Sequence, residues 1–509
     1  MRSLSVLCAL SALTLVACDD GDPDPVDSGV ADTGVVSEDA DVMDEDSGTD
    51  VDAGPGELVV PDTYAFESRF SAGESSIRHT GQTARHLLIS DLKDYVGGLT
   101  AEVDGGFSPA ADGDVTARLE YFFSLDGGDR ADDPFRLSTD PAALQSTYGD
   151  ISSANLIDKV AGNDSSTDHR DWSTEFAGWS DASIAAHGGG IDSPTNLVRA
   201  FFETLEENAI DRAAGRDRLS PALQPLPVHV TESGLDLQQL TEKFLLGALA
   251  FSQAADDYTD DDTDGKGLLV DNTMPASDGA PYTALEHVWD EAWGYYGAAS
   301  SYGSWTAESL SSGPRYMDTS GDGAIDLGTE YNWGASVNAA KRDNGANVAT
   351  DFMGQSFLAF RTGRAMIAHY GELDADERAA LTEQRDLAIQ AWEQAIAATV
   401  VHYINDTLQA MGDFGTAAYD HDRFLDHAKA WSEMKGFALM FQFNPRSPLT
   451  REQFVQLHTL MGDAPVLPAA GPLAADEYRE NLRAARTLLG DAYGFAAENL
   501  GDDAGENGW

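Results

Sequence analysis

Apolar residues along this chain recur mainly at intervals of three and four, the spacing that lines one face of an α-helix. Leu87, Leu88, Leu92 and Val96 follow it and predict a helix over Gly81–Val96. Asp192-Ser193-Pro194 reads as a helix start with Pro in the first turn, leading into Leu197–Ala214. The same periodicity predicts helices over Leu235–Tyr258, Thr283–Ala299, Val348–Tyr370, Asp374–Met411, Asp420–Phe443, Thr450–Met461 and Ala474–Tyr493. Asp374–Met411 is long enough that one bend or break is expected. Only Val115–Phe123 and Val228–Val230 read as strands, and Pro227 confines the second to an edge. Loops rich in Gly, Ser and Asp are expected at 101–114, 126–190 and 259–282. The predicted fold is mainly α, a multi-helix bundle with long loops and few short strands.

The pattern fails at the N-terminal end, in two different ways. Residues 1–17 carry Arg2 and then an apolar run from Leu4 to Val16, too short for a stable membrane span and shaped like a signal peptide. Leu15-Val16-Ala17-Cys18 resembles a lipobox, which implies cleavage before Cys18 and lipidation of its sulfur. The other cysteine, Cys8, lies in the segment removed, so the mature chain is expected to form no internal disulfide. Residues 18–59 follow with 15 acidic side chains, no Lys or Arg and no aromatic residue. Such a stretch buries too little apolar surface to offset its ordering entropy, so an extended acidic tether is expected. The remainder, 60–509, is read as one mainly helical domain.

Composition then narrows the function. The 509 residues include 87 Asp and Glu against 31 Lys and Arg. Of the formal net charge of −56, the tether accounts for −15 and the leader for +1, leaving −42 on residues 60–509. A chain this acidic, with no clustered cations, is not expected to bind nucleic acid or an anionic lipid surface. The lipid at Cys18 is the expected contact with a membrane, and metal ions are the expected ligands. No protein partner is specified.

Three constellations carry possible chemistry. Asp318, Ser320, Asp322 and Asp326 occupy positions 1, 3, 5 and 9 of a loop with Gly323 at 6 and Ile325 at 8, the opening pattern of an EF-hand Ca²⁺ loop. The closing acid, Glu330, falls at position 13 rather than 12. A structural Ca²⁺ site is expected, a solvated turn being the alternative. On a helix, Glu286, His287, Asp290 and Glu291 fall at spacings that offer an imidazole and carboxylates to Zn²⁺ or iron, or else form a buried polar cluster. His427, Glu433 and Lys435 lie on a third helix; Lys435 is expected to find its acid partner on the His287 helix, in an inter-helix polar network or an anion or metal site. Nucleophile elbows, phosphate loops and dinucleotide fingerprints are absent from the sequence, so no catalytic residue is assigned.

Several longer motifs carry a resemblance. Val60-Pro-Asp-Thr-Tyr-Ala-Phe66, His79-Thr-Gly-Gln82-Thr-Ala-Arg85, the Glu286–Tyr296 helix, the Asp318–Trp333 loop with Lys341-Arg342-Asp343, and the His427–Pro445 helix resemble the bacterial lipoprotein family called domain of unknown function 4856, from about residue 60 to about 460. That family is similar to the imelysin-like proteins, helical periplasmic or surface proteins associated with iron acquisition. Their GxHxxE motif is matched here only by His287, with Asp290 at the Glu position, Glu291 one further on, and Leu285 in place of the Gly. The resemblance implies a metal-binding lipoprotein of the cell envelope, periplasmic or on the outer surface. A Zn²⁺-dependent peptidase and a non-catalytic surface scaffold are the alternatives.

Overall fold

The structure, a computed structural model, describes residues 57–164, 169–180, 184 and 191–509. The expected signal peptide, Cys18 and nearly all of the expected acidic tether lie outside the described residues. Fourteen helices appear among those described, in chain order α1 (Thr80–Asp104), α2 (Thr116–Phe123), α3 (Trp172–Glu175), α4 (Pro194–Ala213), α5 (Leu237–Leu245), α6 (Ala284–Tyr296), α7 (Ala307–Ser312), α8 (Gly334–Asn344), α9 (Phe352–His369), α10 (Ala375–Gly412), α11 (His421–Ala438), α12 (Arg451–Met461), α13 (Pro472–Tyr493) and α14 (Ala497–Leu500). Paired extended backbone is limited to isolated bridges such as Ala143 with Ile325. The mainly α, multi-helix expectation holds.

Local chemistry explains the helix ends. Ser193 caps α4 by accepting from the Asn196 amide at 3.3 Å, with Pro194 behind it in the first turn. Thr283 and Glu286 open α6 as a reciprocal capping box, and Gly297, at φ 72°, stops it in a left-handed turn. Asp374 and Glu377 start α10 in the same way. The expected break in α10 does not occur. No Pro or Gly interrupts residues 375–411, and the helix runs 38 residues unbroken.

Both strand expectations are corrected. Residues 116–123 are helical because Val115, Leu119, Phe122 and Phe123 fall at helical spacing and bury together against α1 and α4. Val228–Val230 forms no strand; its pairing is a single bridge, Val230 with Asp236. The helix read over Leu235–Tyr258 starts as α5 and then widens into two π-helical turns, Leu246–Phe251 and Gln253–Tyr258. The helix read over Asp420–Phe443 closes in a 3₁₀ turn at Leu439–Phe443.

Helix α10 is the spine of the bundle, packed by α8, α9, α11 and α13, while α6 is wedged between α1, α9 and the π-helical turns. The core beneath them is aromatic: Trp289, Trp293, Tyr296, Phe360 and Trp392 lie in edge and tilted contacts. Two glycines let α6 approach its neighbours. A Cβ on Gly363 would stand 2.1 Å from the Trp289 ring, and one on Gly294 would stand 2.6 Å from His79 Cβ. The first contact sets the α6–α9 crossing, and the neighbouring Arg364 side chain depends on it. Gly363→Ala is therefore expected to destabilise the fold by about 1–3 kcal/mol through overpacking, read as a lower urea midpoint at unchanged slope.

Candidate metal centre

Helix α6 carries two of its acids inward. Glu286 and Asp290 are fully buried, and Arg364 of α9, itself fully buried, bonds both: Nε to Asp290 Oδ1 at 2.9 Å and Nη1 to Glu286 Oε1 at 3.1 Å. The third arm, Nη2, donates to Ser76 Oγ at 2.6 Å, and the Tyr64 hydroxyl donates to Asp290 Oδ1 at 2.8 Å. Arg69 approaches Glu286 at 3.5 Å. Burial pushes the Asp290 carboxyl up to about 6, against the opposing pull of Arg364. Burial alone would lower the guanidinium, but Asp290 and Glu286 outweigh it and keep Arg364 charged.

The four residues read together in the sequence are thus divided. Glu286 and Asp290 neutralise Arg364, while His287 and Glu291 face elsewhere, His287 Nε2 lying 3.8 Å from Glu291 Oε2. The His287 ring stacks on Tyr282 at 4.7 Å, and Gln82 of α1 donates to Glu291 Oε1 at 2.9 Å. A second histidine, His79 at the start of α1, is within electrostatic reach of His287, and burial holds it neutral, down to about 4. His86, one helical face further along, donates from Nε2 to the Gly294 and Tyr295 carbonyls at 3.1 Å each. These α1 residues were not assigned from sequence; the spacing of His79, Gln82 and His86 along one helix face was the available signal.

His79 also opens onto a cleft of about 710 Å³, walled by parts of the N-terminal segment between Tyr64 and Thr80, by Gln145, Asp150 and Ile151, and by Asp326, Gly328 and Thr329. One wall is therefore the end of the EF-hand-like loop. In that loop Asp318 accepts from the Gly321 amide at 2.6 Å on Oδ1 and from the Gly323 amide at 3.0 Å on Oδ2, so positions 1, 4 and 6 close a tight turn with both glycines at positive φ. Ser320 and Asp322 lie in the same exposed turn, and Ile325 at position 8 exchanges main-chain hydrogen bonds with Ala142 and Leu144. The late acid has a different role from a twelfth-position ligand. Glu330 folds back under the loop, accepting from the Thr319 and Ser320 amides at 2.7 Å and from the Asp326 amide at 2.9 Å. Burial would raise its carboxyl, but these amides outweigh that and hold it below the usual range. Asp326 is engaged by Gly328, Thr329 and Gln145. No three acids of the loop bring ligand atoms within 4.8 Å of one another, so the oxygens it offers outward are those of Asp318, Ser320 and Asp322.

The third constellation is three separate contacts. Lys435 does not reach the His287 helix; its Nζ donates to the Gly462 carbonyl at 2.7 Å and to Asp463 at 3.2 Å. Glu433 pairs with Lys429 at 2.8 Å and with Lys243 of α5 at 3.7 Å, and His427 Nδ1 shares a hydrogen bond of 2.9 Å with the Tyr419 hydroxyl. His427, Glu433 and Lys435 do not bond one another or α6, but polar contacts between elements run through two of them: Glu433 joins Lys243 and Glu242 of α5, and through Glu242 Lys93 of α1, while Lys435 meets the Gly462–Asp463 turn.

Two expected outcomes follow from this burial. Arg364→Met leaves Glu286 and Asp290 buried without their cation and should cost about 3–5 kcal/mol, measured by urea unfolding. His427, pushed down to about 3 by burial, stays neutral when folded but takes up a proton below about 6.5 when unfolded. Its stability contribution is complete above that pH and drains as pH falls. From pH 7 to 5 the wild type should lose about 2 kcal/mol more than His427→Gln, compared by urea titration at both pH values.

A family model described as Domain of unknown function (DUF4856) matches residues 195–456. That span holds α6, the Asp318–Glu330 loop, Arg364 and all of α11. Comparison with curated proteins and with solved structures finds no match. With just over half of its length matched, including α6, the Asp318–Glu330 loop and α9, this chain belongs to the family Domain of unknown function (DUF4856).

Proposed function

We propose that this protein is a lipid-anchored, non-catalytic cation-binding protein of the cell envelope, with Ca²⁺ bound at the turn of Asp318, Ser320 and Asp322. The observation that carries this reading is the orientation of Asp318. Its carboxylate is aimed by the Gly321 and Gly323 amides in the manner of the first ligand of a calcium loop, with two further side-chain oxygens in the same turn. Ca²⁺ tolerates irregular sets of six to eight oxygens completed by carbonyls and water, which suits a turn without a twelfth-position glutamate. Because Asp326, Gly328 and Thr329 line the cleft, an ion there stiffens a ligand-facing surface rather than performing a reaction.

A peptidase zinc placed on α6, as the sequence offered it, has less support. A catalytic zinc needs three protein ligands and an open position; Glu286 and Asp290 are committed to Arg364, which leaves His287 with Glu291 on its own helix. An iron-acquisition role of the imelysin-like kind would draw on that pair together with His79.

Ca²⁺ should raise the melting temperature of chelator-treated protein, and Asp318→Ala and Asp322→Ala should each abolish the rise while folding normally. Identical melting of the wild type in Ca²⁺ and in EDTA would remove the reading. The anchor is tested separately: Cys18→Ser should lose incorporation of labelled fatty acid and leave the membrane fraction.

A further inference from the structure

Two of the loops expected from sequence, 126–190 and 259–282, meet at one histidine. His169, just ahead of α3, faces Asp256 in the second π-helical turn and Asp260 and Asp262 in the segment that follows it. We infer that His169, Asp260 and Asp262 form a binding site for a first-row divalent transition metal, with Asp256 orienting the imidazole. Among the described residues, this is the one group of three His, Cys, Asp or Glu whose ligand atoms all lie within 4.8 Å of one another.

Separate features of the geometry favour an ion over a simple ion pair. His169 Nδ1 bonds Asp256 Oδ1, which fixes the ring and turns Nε2 toward the other two acids. A buried carboxylate on the far nitrogen is the usual support of a metal-bound imidazole. Nε2 then lies 3.3 Å from both oxygens of Asp262 and 3.5 Å from Asp260 Oδ1. These separations exceed an ordinary hydrogen bond. They match the edge of a tetrahedron around an ion with bonds of about 2.0–2.1 Å, which spaces its ligands by about 3.3–3.4 Å.

The backbone explains why alternate aspartates converge. Asp261, between them, turns the opposite way to Arg385 at 2.9 Å, with Arg446 at 3.7 Å. Both arginines also hold main-chain carbonyls, those of Thr259 and Ala255. Asp260 is fully buried and, among the described residues, has no ion pair except with His169. Asp262 has a side chain 69% exposed and leaves one side of the site open to solvent. One imidazole and two carboxylates suit Zn²⁺, Mn²⁺ or Fe²⁺. Three protein ligands leave a coordination place for water or another small ligand, unlike a closed structural site. The π-helical turn that delivers Asp256 is a distortion often found at functional sites. The site shares no residue with the Asp318 turn and does not depend on the Ca²⁺ reading.

The test uses the full chain stripped with EDTA and titrated calorimetrically with Zn²⁺ or Mn²⁺ alone. The wild type should take up one equivalent, and His169→Ala and Asp260→Asn should lose it. Asp256→Asn, a positioning change, should weaken uptake about 10–100-fold. Asp262→Asn alters a surface side chain and should weaken uptake with melting unchanged, which separates ligand loss from misfolding. Asp322→Ala should bind Zn²⁺ normally and His169→Ala should keep its Ca²⁺ response, so the two readings fail independently. A wild type that takes up neither ion, or His169→Ala and Asp262→Asn variants that take it up unchanged, would overturn the proposal.

Discussion

One buried guanidinium organises this molecule. Arg364 reaches from α9 to Glu286 and Asp290 on α6 and to Ser76 in the N-terminal segment, and no part of it meets solvent. Removing three charges from water is costly unless each finds opposite charge and hydrogen bonds in place. The Thr283 amide, the Tyr64 hydroxyl and Arg69 add bonds that Arg364 cannot make, leaving only Asp290 Oδ2 of these carboxylates without a partner among the described residues. The cluster therefore ties the N-terminal segment, α6 and α9 into one arrangement. The aromatic packing of Trp289, Trp293 and Phe360 is built around that arrangement.

That arrangement also determines which acids are free to do anything else. In a domain with a charge of −42, most acids lie on the surface, and the inward ones are nearly all matched: Glu286 and Asp290 to Arg364, Glu330 to loop amides, Glu393 to Asn444, Ser447 and Tyr493. Matched acids hold the fold together. Cation chemistry falls to the acids that are oriented without being neutralised, Asp318 in its turn and Asp260 and Asp262 around His169.

Much of the fold was legible because helix periodicity and caps are short-range. Ser193-Pro194 started α4 where expected, and the Thr283–Glu286 box and Gly297 delimit α6 within a few residues of its expected ends. The errors came where short segments gave ambiguous signals. Residues 115–123, rich in β-branched and aromatic side chains, look strand-like until Val115, Leu119 and Phe122 are seen to share one helix face. Helix α8 was missed because Gly334–Asn344 is polar and short, and it is held by α7, α9 and α10 rather than by its own propensity.

The sites divide along the same line. The Asp318 turn was readable because its donors lie within a few residues of one another, so spacing alone brings them together. Spacing on α6 placed Glu286, His287, Asp290 and Glu291 on neighbouring helix faces, but it could not say that Arg364, 74 residues beyond Asp290, would take two of them. Nor could it say that His169 would meet Asp256, 87 residues away. The sequence by itself determined the helices, their ends and the local turn, since these follow from dihedral preferences and hydrogen bonds over three or four residues. Only the tertiary structure decided which charges are neutralised and which face a common point, because that depends on how distant segments close upon one another.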